Sequence, residues 1–228
     1  MILNNILLIV ENYGNMIIAG LAMTFFITLS SFILGFLLGL IIAITRVFGP
    51  KFIGMIFTTF VELIRGTPMM VQLFFVYYAL PYLGIKLSPL LSALIAISLN
   101  SAAYQSEYLR VSISSIPSSQ IEASYSLGLT KTQTILSIVI PQCIRIAIPA
   151  LTNEAVYLFK YSSIAYFITV PELMYISMYI GSRTFRYIEI YTLIAIIYIV
   201  ISIILTEISR RIEQKYSYYV VSYKRRIV

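Results

Sequence analysis

The chain is expected to be an all-α integral membrane protein with about five transmembrane helices, and three observations carry that expectation. Of its 228 residues, 60% are hydrophobic and 11% charged, with a mean hydropathy of +0.92, whereas soluble domains carry about a quarter charged residues. The apolar residues fall into blocks that meet the roughly 20 residues needed to cross a hydrocarbon layer. Between two of these blocks lies one long polar stretch, residues 116–143, with an ordered pattern of its own. The length leaves no room for a separate soluble domain. Residues 1–228 therefore read as one transmembrane domain, with a loop at 116–143 and a basic tail at 209–228.

Met1 to Tyr13 has no Lys or Arg ahead of its apolar run and is expected to be retained as a short interfacial helix rather than cleaved. Asn15 to Thr45 is the first span, and Gly35 and Gly39 make a GxxxG pair suited to close helix approach in lipid. Arg46, Gly49, Pro50 and Lys51 form a basic turn. Phe52 to Tyr82 is a second block, interrupted by Glu62, Arg65, Gly66, Thr67 and Pro68, where Gly and Pro together predict a bend or break. Glu62 and Arg65 sit at i, i+3 and are expected to pair. That pair is either a structural prop at a kink or part of a broken helix whose free backbone groups line a path.

Pro81 to Pro89 reads as a loop, and Leu90 to Ser115 as the third span. Ser101, Tyr104, Gln105 and Tyr108 share one face of that span, while Glu107 and Arg110 are spaced to pair near its end. Such a stripe either bonds helix to helix or faces water. Ile144 to Phe167 is the fourth span, with Glu154 well inside it and Lys160 six residues on. Pro171 to Arg186 is predicted as a polar, irregular connection, followed by the last span at Ile188 to Ile208 and a tail carrying Arg210, Arg211, Lys215, Lys224, Arg225 and Arg226.

Within the polar stretch, Pro117 blocks continuation of the preceding helix, and Ser119 with Glu122 fits a capping box that starts a new one. Gly128 supplies the stop. The resulting helix, roughly 12 Å long at 1.5 Å per residue, cannot cross a bilayer. Ile121, Tyr125 and Leu129 recur at i, i+4 and i+8, predicting an apolar side that presses on something. With five spans, the Arg46/Lys51 turn, Lys131 and the basic tail share one side, against Lys86, Arg183 and Arg186 on the other. The richer side is cytoplasmic by the positive-inside rule, which puts the short helix inside and the N-terminus outside.

Composition also excludes. With no His and a single Cys, Cys143, the ordinary zinc and haem ligand sets and an intrachain disulfide are absent, so no cofactor or metal is expected. The net charge of +7 belongs to a lipid surface rather than to nucleic acid. Gly128-Leu129-Thr130-Lys131-Thr132 lacks the spacing of a phosphate-binding loop, and the nine acidic residues, all Glu, form no obvious catalytic pair. The chain is not expected to be an enzyme.

The polar stretch also carries a resemblance. Glu122-Ala123, Gly128 and Ile140-Pro141-Gln142 are similar to the loop by which the membrane subunits of ABC importers plug into their ATPase subunit. Arg65-Gly66-Thr67-Pro68, Val71 to Phe75, Asn100 to Tyr104, Glu107, Arg110, Pro149 to Glu154 and Glu172-Leu173 are similar to the polar amino acid branch of that family, the histidine, arginine, glutamine and cystine permeases. The likeness runs from Gly20 to about Tyr216 with two departures. Ser124 stands where the loop has Ala, and Lys160-Tyr161-Ser162-Ser163 stands where the family has Lys-Asp-Thr-Ser.

The resemblance implies a type I importer permease fold. It also implies a cytoplasmic coupling helix in which Ser119, Glu122, Ala123 and Gly128 meet an ATPase, and rigid-body tilting of the membrane helices driven by that partner. Expected partners are a pair of ATP-binding subunits, a second identical or similar permease, an extracytoplasmic amino acid binding protein and membrane lipid. For the substrate, Glu154 leads, because a carboxylate deep in a span costs several kcal/mol unless it has a partner. A substrate ammonium or guanidinium would be one; Lys160 or Arg110 would be another. Thr67, Gln72, Ser101, Tyr104 and Asn153 are further candidates for hydrogen bonds to an amino acid. Against this stand an ATP-independent transporter or channel with Glu154 as its ion site, and a structural scaffold, which leaves the polar stripe unexplained.

Overall fold

A nearly unbroken run of apolar, helix-compatible residues lets the first helix, α1, extend over Ile2–Phe48, 47 residues or about 70 Å. The computed structural model describes the backbone of residues 2–224 and the side chains of residues 4–216. The separate interfacial helix expected before Tyr13 is not formed; its described residues continue into α1. Gly14 alone does not break the helix, since a single Gly costs only about 1 kcal/mol. Ile9 and Ile17, on either side of it, are both buried against the C-terminal part of the chain.

After the turn at Gly49 and Pro50 come α2 (Lys51–Arg65) and α3 (Met69–Phe74), the latter prolonged by a π turn at Phe75–Ala79 and a 3-10 turn at Leu80–Leu83. α2 and the α3 segment meet at 106°, the break expected at Gly66-Thr67-Pro68. Pro68, extended at φ −62° and ψ 135°, sets the corner. The Glu62–Arg65 ion pair does not form. Arg65 lies over the Tyr104 ring instead, 5.5 Å from its centroid.

α4 (Pro89–Ser114) runs beside α1, followed by the short α5 (Ser118–Ser126). α6 (Lys131–Thr134), a π turn at Ile135–Val139 and α7 (Ile140–Tyr161) then form one long rod, so residues 131–143, expected in the loop, belong to the fourth span. Both π turns end two residues before a proline, Pro81 or Pro141. A regular helix would drive each ring into the carbonyl four residues back, and the wider turn relieves that clash.

A 3-10 stretch at Ser162–Ile168 leads to α8 (Leu173–Thr184) and α9 (Tyr187–Lys224). α8 corrects the irregular connection predicted over residues 171–186. Its start is fixed by the Glu172 carboxylate, which accepts from the backbone N–H groups of Met174 (2.9 Å) and Tyr175 (2.7 Å). Its Leu173, Ile176 and Ile180 face is buried on α1 at Gly20, where a β-carbon would lie 2.7 Å from Ile176. α9 takes in most of the predicted tail, with Arg210 and Arg211 paired to Glu207. Arg225 and Arg226 lie outside the described residues.

Among the described residues three helices, α1, the α6–α7 rod and α9, are long and apolar enough to cross a membrane, and the bent α2–α3 pair is a fourth if it counts as one span. α4, at 26 residues, has the length of a fifth but carries Asn100, Ser101, Gln105 and Glu107. Those groups are tolerable because the helix is enclosed, with Ser101 and Gln105 fully buried. The predicted GxxxG contact is what encloses it. A β-carbon at Gly35 would meet Ser101 at 2.9 Å, and one at Gly39 would meet the Ala102 carbonyl at 3.0 Å. Leu29, Leu37 and Ile41 of α1, Met55 and Leu63 of α2, and Ile199 and Ile203 of α9 point outward, giving the bundle an apolar rim suited to lipid.

Candidate functional site

Glu154 is buried between α4 and α7, and the polar stripe of α4 is what holds it. Its Oε1 accepts from Ser101 Oγ at 2.8 Å, and its Oε2 from the Tyr108 hydroxyl at 3.4 Å. Ser101 Oγ in turn accepts from Gln105 Nε2 at 2.9 Å, and that amide also donates to the Phe32 carbonyl of α1 at 3.2 Å. Among the described residues no Lys or Arg forms an ion pair with Glu154; Arg110 is engaged with Glu107. The carboxylate is thus positioned by hydroxyl groups alone, and neither cation expected as its alternative partner reaches it.

Beside Glu154 opens a cavity of about 610 Å³ lined by Tyr104 and Tyr108 of α4, Asn153, Glu154, Tyr157 and Lys160 of α7, and Thr206 of α9. Tyr157 stacks on Tyr161 at 4.6 Å between ring centroids. A carboxylate, three phenol rings and one lysine around a volume of this size offer separate places for a cationic and an anionic group. Tyr161, the residue that departs from the family pattern, buttresses Tyr157 by this stack.

Of the candidates read from the sequence, Glu154, Tyr104 and Asn153 line the cavity, and Ser101 lies behind Glu154. Thr67 and Gln72 do not join them. Gln72 Nε2 donates to the Ile64 carbonyl (2.7 Å), the Thr67 carbonyl (3.1 Å) and Thr67 Oγ1 (2.9 Å), while its Oε1 accepts from Asn100 Nδ2 at 3.0 Å. Both residues therefore fill the hydrogen-bonding demand of the broken α2–α3 corner. The sequence reading did not single out Tyr157 or Thr206 as cavity residues. Tyr157 was legible in principle, three residues from Glu154 and so on the same helical face; nothing in the sequence tied Thr206 to it.

The second feature is α5. Pro117, extended at φ −57° and ψ 133°, forces the helix to begin at Ser118 with no side-chain cap, so the Ser119–Glu122 capping box does not form. A capping box forms at the start of the next helix instead, where Thr130 and Gln133 begin α6. The predicted stop holds: Gly128 is left-handed at φ 84°, with its N–H bonded to the Tyr125 carbonyl (2.9 Å) and the Leu129 N–H to the Ser124 carbonyl (3.1 Å).

Ser124 is buried, its hydroxyl within 2.8 Å of Thr134 Oγ1, so the small side chain at this position seats α5 on α6. The expected apolar side is divided. Ile121 packs into the bundle beside Ile113, Val139 and Cys143, whereas Tyr125 is 46% exposed. Ser119, Glu122, Ala123, Tyr125 and Gly128 lie exposed, together with Leu127 at 81%. Among the described residues no group of His, Cys, Asp or Glu is placed to hold a metal ion.

Membrane-length helices around a polar cavity, with a short helix held exposed at one end, define a transport component of a membrane. Residues 35–218 match the family described as the binding-protein-dependent transport system inner membrane component, and the chain belongs to that family. It is 41% identical over 204 residues, 90% of each chain, to the probable amino-acid ABC transporter permease protein YckA of Bacillus subtilis. The L-cystine transport system permease protein TcyB of the same organism is 37% identical over 214 residues, covering 93% of this chain and 92% of its own.

Among solved structures, the crystal structure of an amino acid ABC transporter with histidines superposes with a TM-score of 0.83 at 34% identity, covering 91% of this chain and 97% of that one. An inward-facing MetNI methionine ABC transporter shares the fold at a TM-score of 0.70 and 20% identity, over 89% of this chain and 98% of that one. The expected type I importer permease fold is therefore the observed one.

Proposed function

We propose that this chain is the non-catalytic, membrane-spanning permease subunit of an ATP-binding-cassette importer that carries polar amino acids inward. The observation that supports this best is the end-to-end likeness to permeases whose names include amino acids, 41% identical in one case over nine-tenths of the chain. The same likeness favours it over an ATP-independent transporter. In this reading α5 is the coupling helix. Glu122, Ala123, Tyr125, Leu127 and Gly128 form the face received by a separate ATPase, and Ser119 lies at the helix start.

The cavity beside Glu154 is the substrate site. Glu154 and the rings of Tyr104, Tyr108 and Tyr157 receive the cationic end of an amino acid, and Asn153 and Lys160 its carboxylate. Ser101 acts by positioning Glu154, while Thr67 and Gln72 hold the broken corner rather than touch substrate. The assembly comprises two ATP-binding subunits, a second identical or similar permease and an extracytoplasmic binding protein. The N-terminus lies outside and α5 in the cytoplasm, following the charge asymmetry of the loops.

Co-purification of an ATPase, followed by uptake of a panel of labelled amino acids into vesicles holding the whole complex, tests this. ATP-dependent uptake of amino acids supports the reading, and a complex that moves none of them contradicts it.

A further inference from the structure

At the end of the bundle next to α5, α1 and α4 meet at one carboxylate, and α2 is joined to it through Arg46. Glu107 of α4 accepts from Arg46 of α1 at 2.9 Å, and the two side chains are 18% and 7% exposed. The Arg46 guanidinium also donates through Nε to Thr58 Oγ1 of α2 at 3.1 Å. On its other side Glu107 is gripped by Arg110, whose Nε lies 3.0 and 3.1 Å from its two oxygens. Farther along the chain, the Lys131 ammonium at the start of α6 donates to the Phe48 carbonyl at the C-terminus of α1. α5 is thus tied to the end of α1 from both of its flanks, through α4 and Glu107 on one side and through Lys131 on the other.

We propose that Glu107 is a positioning residue for energy coupling, clamping the inner ends of α1, α2 and α4 into one rigid unit that moves with α5. This rests on the reading of α5 as the coupling helix. The physical case is that a pushed helix transmits displacement only to what it is fastened to. α5 is nine residues long and its own helix ends at Pro117 and Gly128, so it has no continuous helical connection to either neighbour. The contacts left to carry its motion are side-chain ties.

Apolar packing resists compression but permits sliding; an ion pair largely withdrawn from water resists both, because either partner left alone is a poorly solvated charge. Arg46, by reaching Glu107 and Thr58 together, extends the tie from α4 to α1 and α2. Glu107 serves structure in any account, so the distinguishing feature is what it does to transport per ATP consumed.

The test uses the complete complex in vesicles. The wild type must first show a bound ATPase and ATP-driven uptake; if it does not, the reading of α5 fails before this one is tested. Glu107→Gln is expected to keep the ATPase bound and hydrolysing while uptake per ATP falls about tenfold, within the range of ordinary coupling energies. Unchanged uptake per ATP overturns the proposal.

Arg46→Cys/Glu107→Cys, compared before and after bridging with a short bifunctional thiol reagent, tests rigidity without relying on the first variant. Cys143 is fully buried, whereas the Arg46 and Glu107 side chains that the two cysteines replace are 7% and 18% exposed. Bridging is expected to restore uptake per ATP to within about twofold of wild type, because the proposal requires these helix ends to stay together. Bridging that abolishes uptake shows that they must separate during the cycle, which overturns it.

Discussion

Ser101 Oγ donates to Glu154 Oε1 at 2.8 Å while accepting from Gln105 Nε2 at 2.9 Å, so a side chain from α4 holds the buried carboxylate of α7 in place. An acid fixed this way, with no cation paired to it among the described residues, is available to a cationic ligand. Glu154→Gln keeps the size and one acceptor while removing the charge. It is expected to weaken uptake or binding of a cationic amino acid about tenfold or more, since hydrogen bonds to charged groups are worth about 1.5–3 kcal/mol, and a neutral amino acid less. Competition between labelled arginine and labelled glutamine in the reconstituted complex reads the difference. Equal losses would make the residue structural.

Ser101→Ala separates positioning from contact. Glu154 keeps only the long bond from Tyr108, 3.4 Å, and Gln105 Nε2 loses one of its acceptors. A smaller loss of affinity than for Glu154→Gln, about threefold to tenfold, is expected from one net hydrogen bond of about 1 kcal/mol. A loss equal to that of Glu154→Gln would mean that the carboxylate works only when Ser101 orients it.

Gly128 is left-handed at φ 84°, with nothing within 4 Å of the place a β-carbon would occupy. The obstacle to substitution is therefore the backbone alone. Gly128→Val is expected to disorder the end of α5 at a cost of about 1–2 kcal/mol. Glu122→Lys reverses an exposed charge without strain. Both are expected to leave the protein in the membrane while ATP hydrolysis and uptake come apart, measured as amino acid taken up per ATP hydrolysed. Normal ratios in both would argue against α5 as the coupling element.

Gln72 joins the ends of α2 and α3 to Asn100 of α4. Gln72→Ala leaves the Thr67 and Ile64 carbonyls and the Asn100 amide without this partner, a cost of about 1–3 kcal/mol where such groups are buried. Thermal stability of the purified complex is expected to fall, while the relative affinities for cationic and neutral amino acids stay as in wild type. A change in that preference would return Gln72 to the substrate site.

The sequence was most legible where one residue type has one use. The Gly66-Thr67-Pro68 break, the left-handed stop at Gly128, the Gly35/Gly39 contact with α4 and the Glu107–Arg110 pair all follow from local chemistry and appear as expected. It was least legible where tertiary packing decides. α8 reads as a polar connection because its sequence is mixed, yet Gly20, Ile176 and the Glu172 cap make it a helix buried on α1. The Ser119 capping box failed because Pro117 starts the helix two residues early, and its equivalent at Thr130–Gln133 follows a T-x-x-Q pattern. In the site, Glu154, Tyr104 and Asn153 came together because the α4 stripe faces α7. Thr67 and Gln72 did not, since a broken helix needs its own polar side chains to serve the carbonyls it frees.

The central claim, that an exposed nine-residue helix couples this chain to a separate ATPase, is tested most directly by uptake of labelled amino acid into vesicles holding the whole complex. Uptake is expected only with hydrolysable ATP and the ATPase present, and to be lost when Leu127, 81% exposed at the tip of α5, is changed to Asp. Undiminished uptake by the permease alone, with no nucleotide-hydrolysing partner, would contradict it.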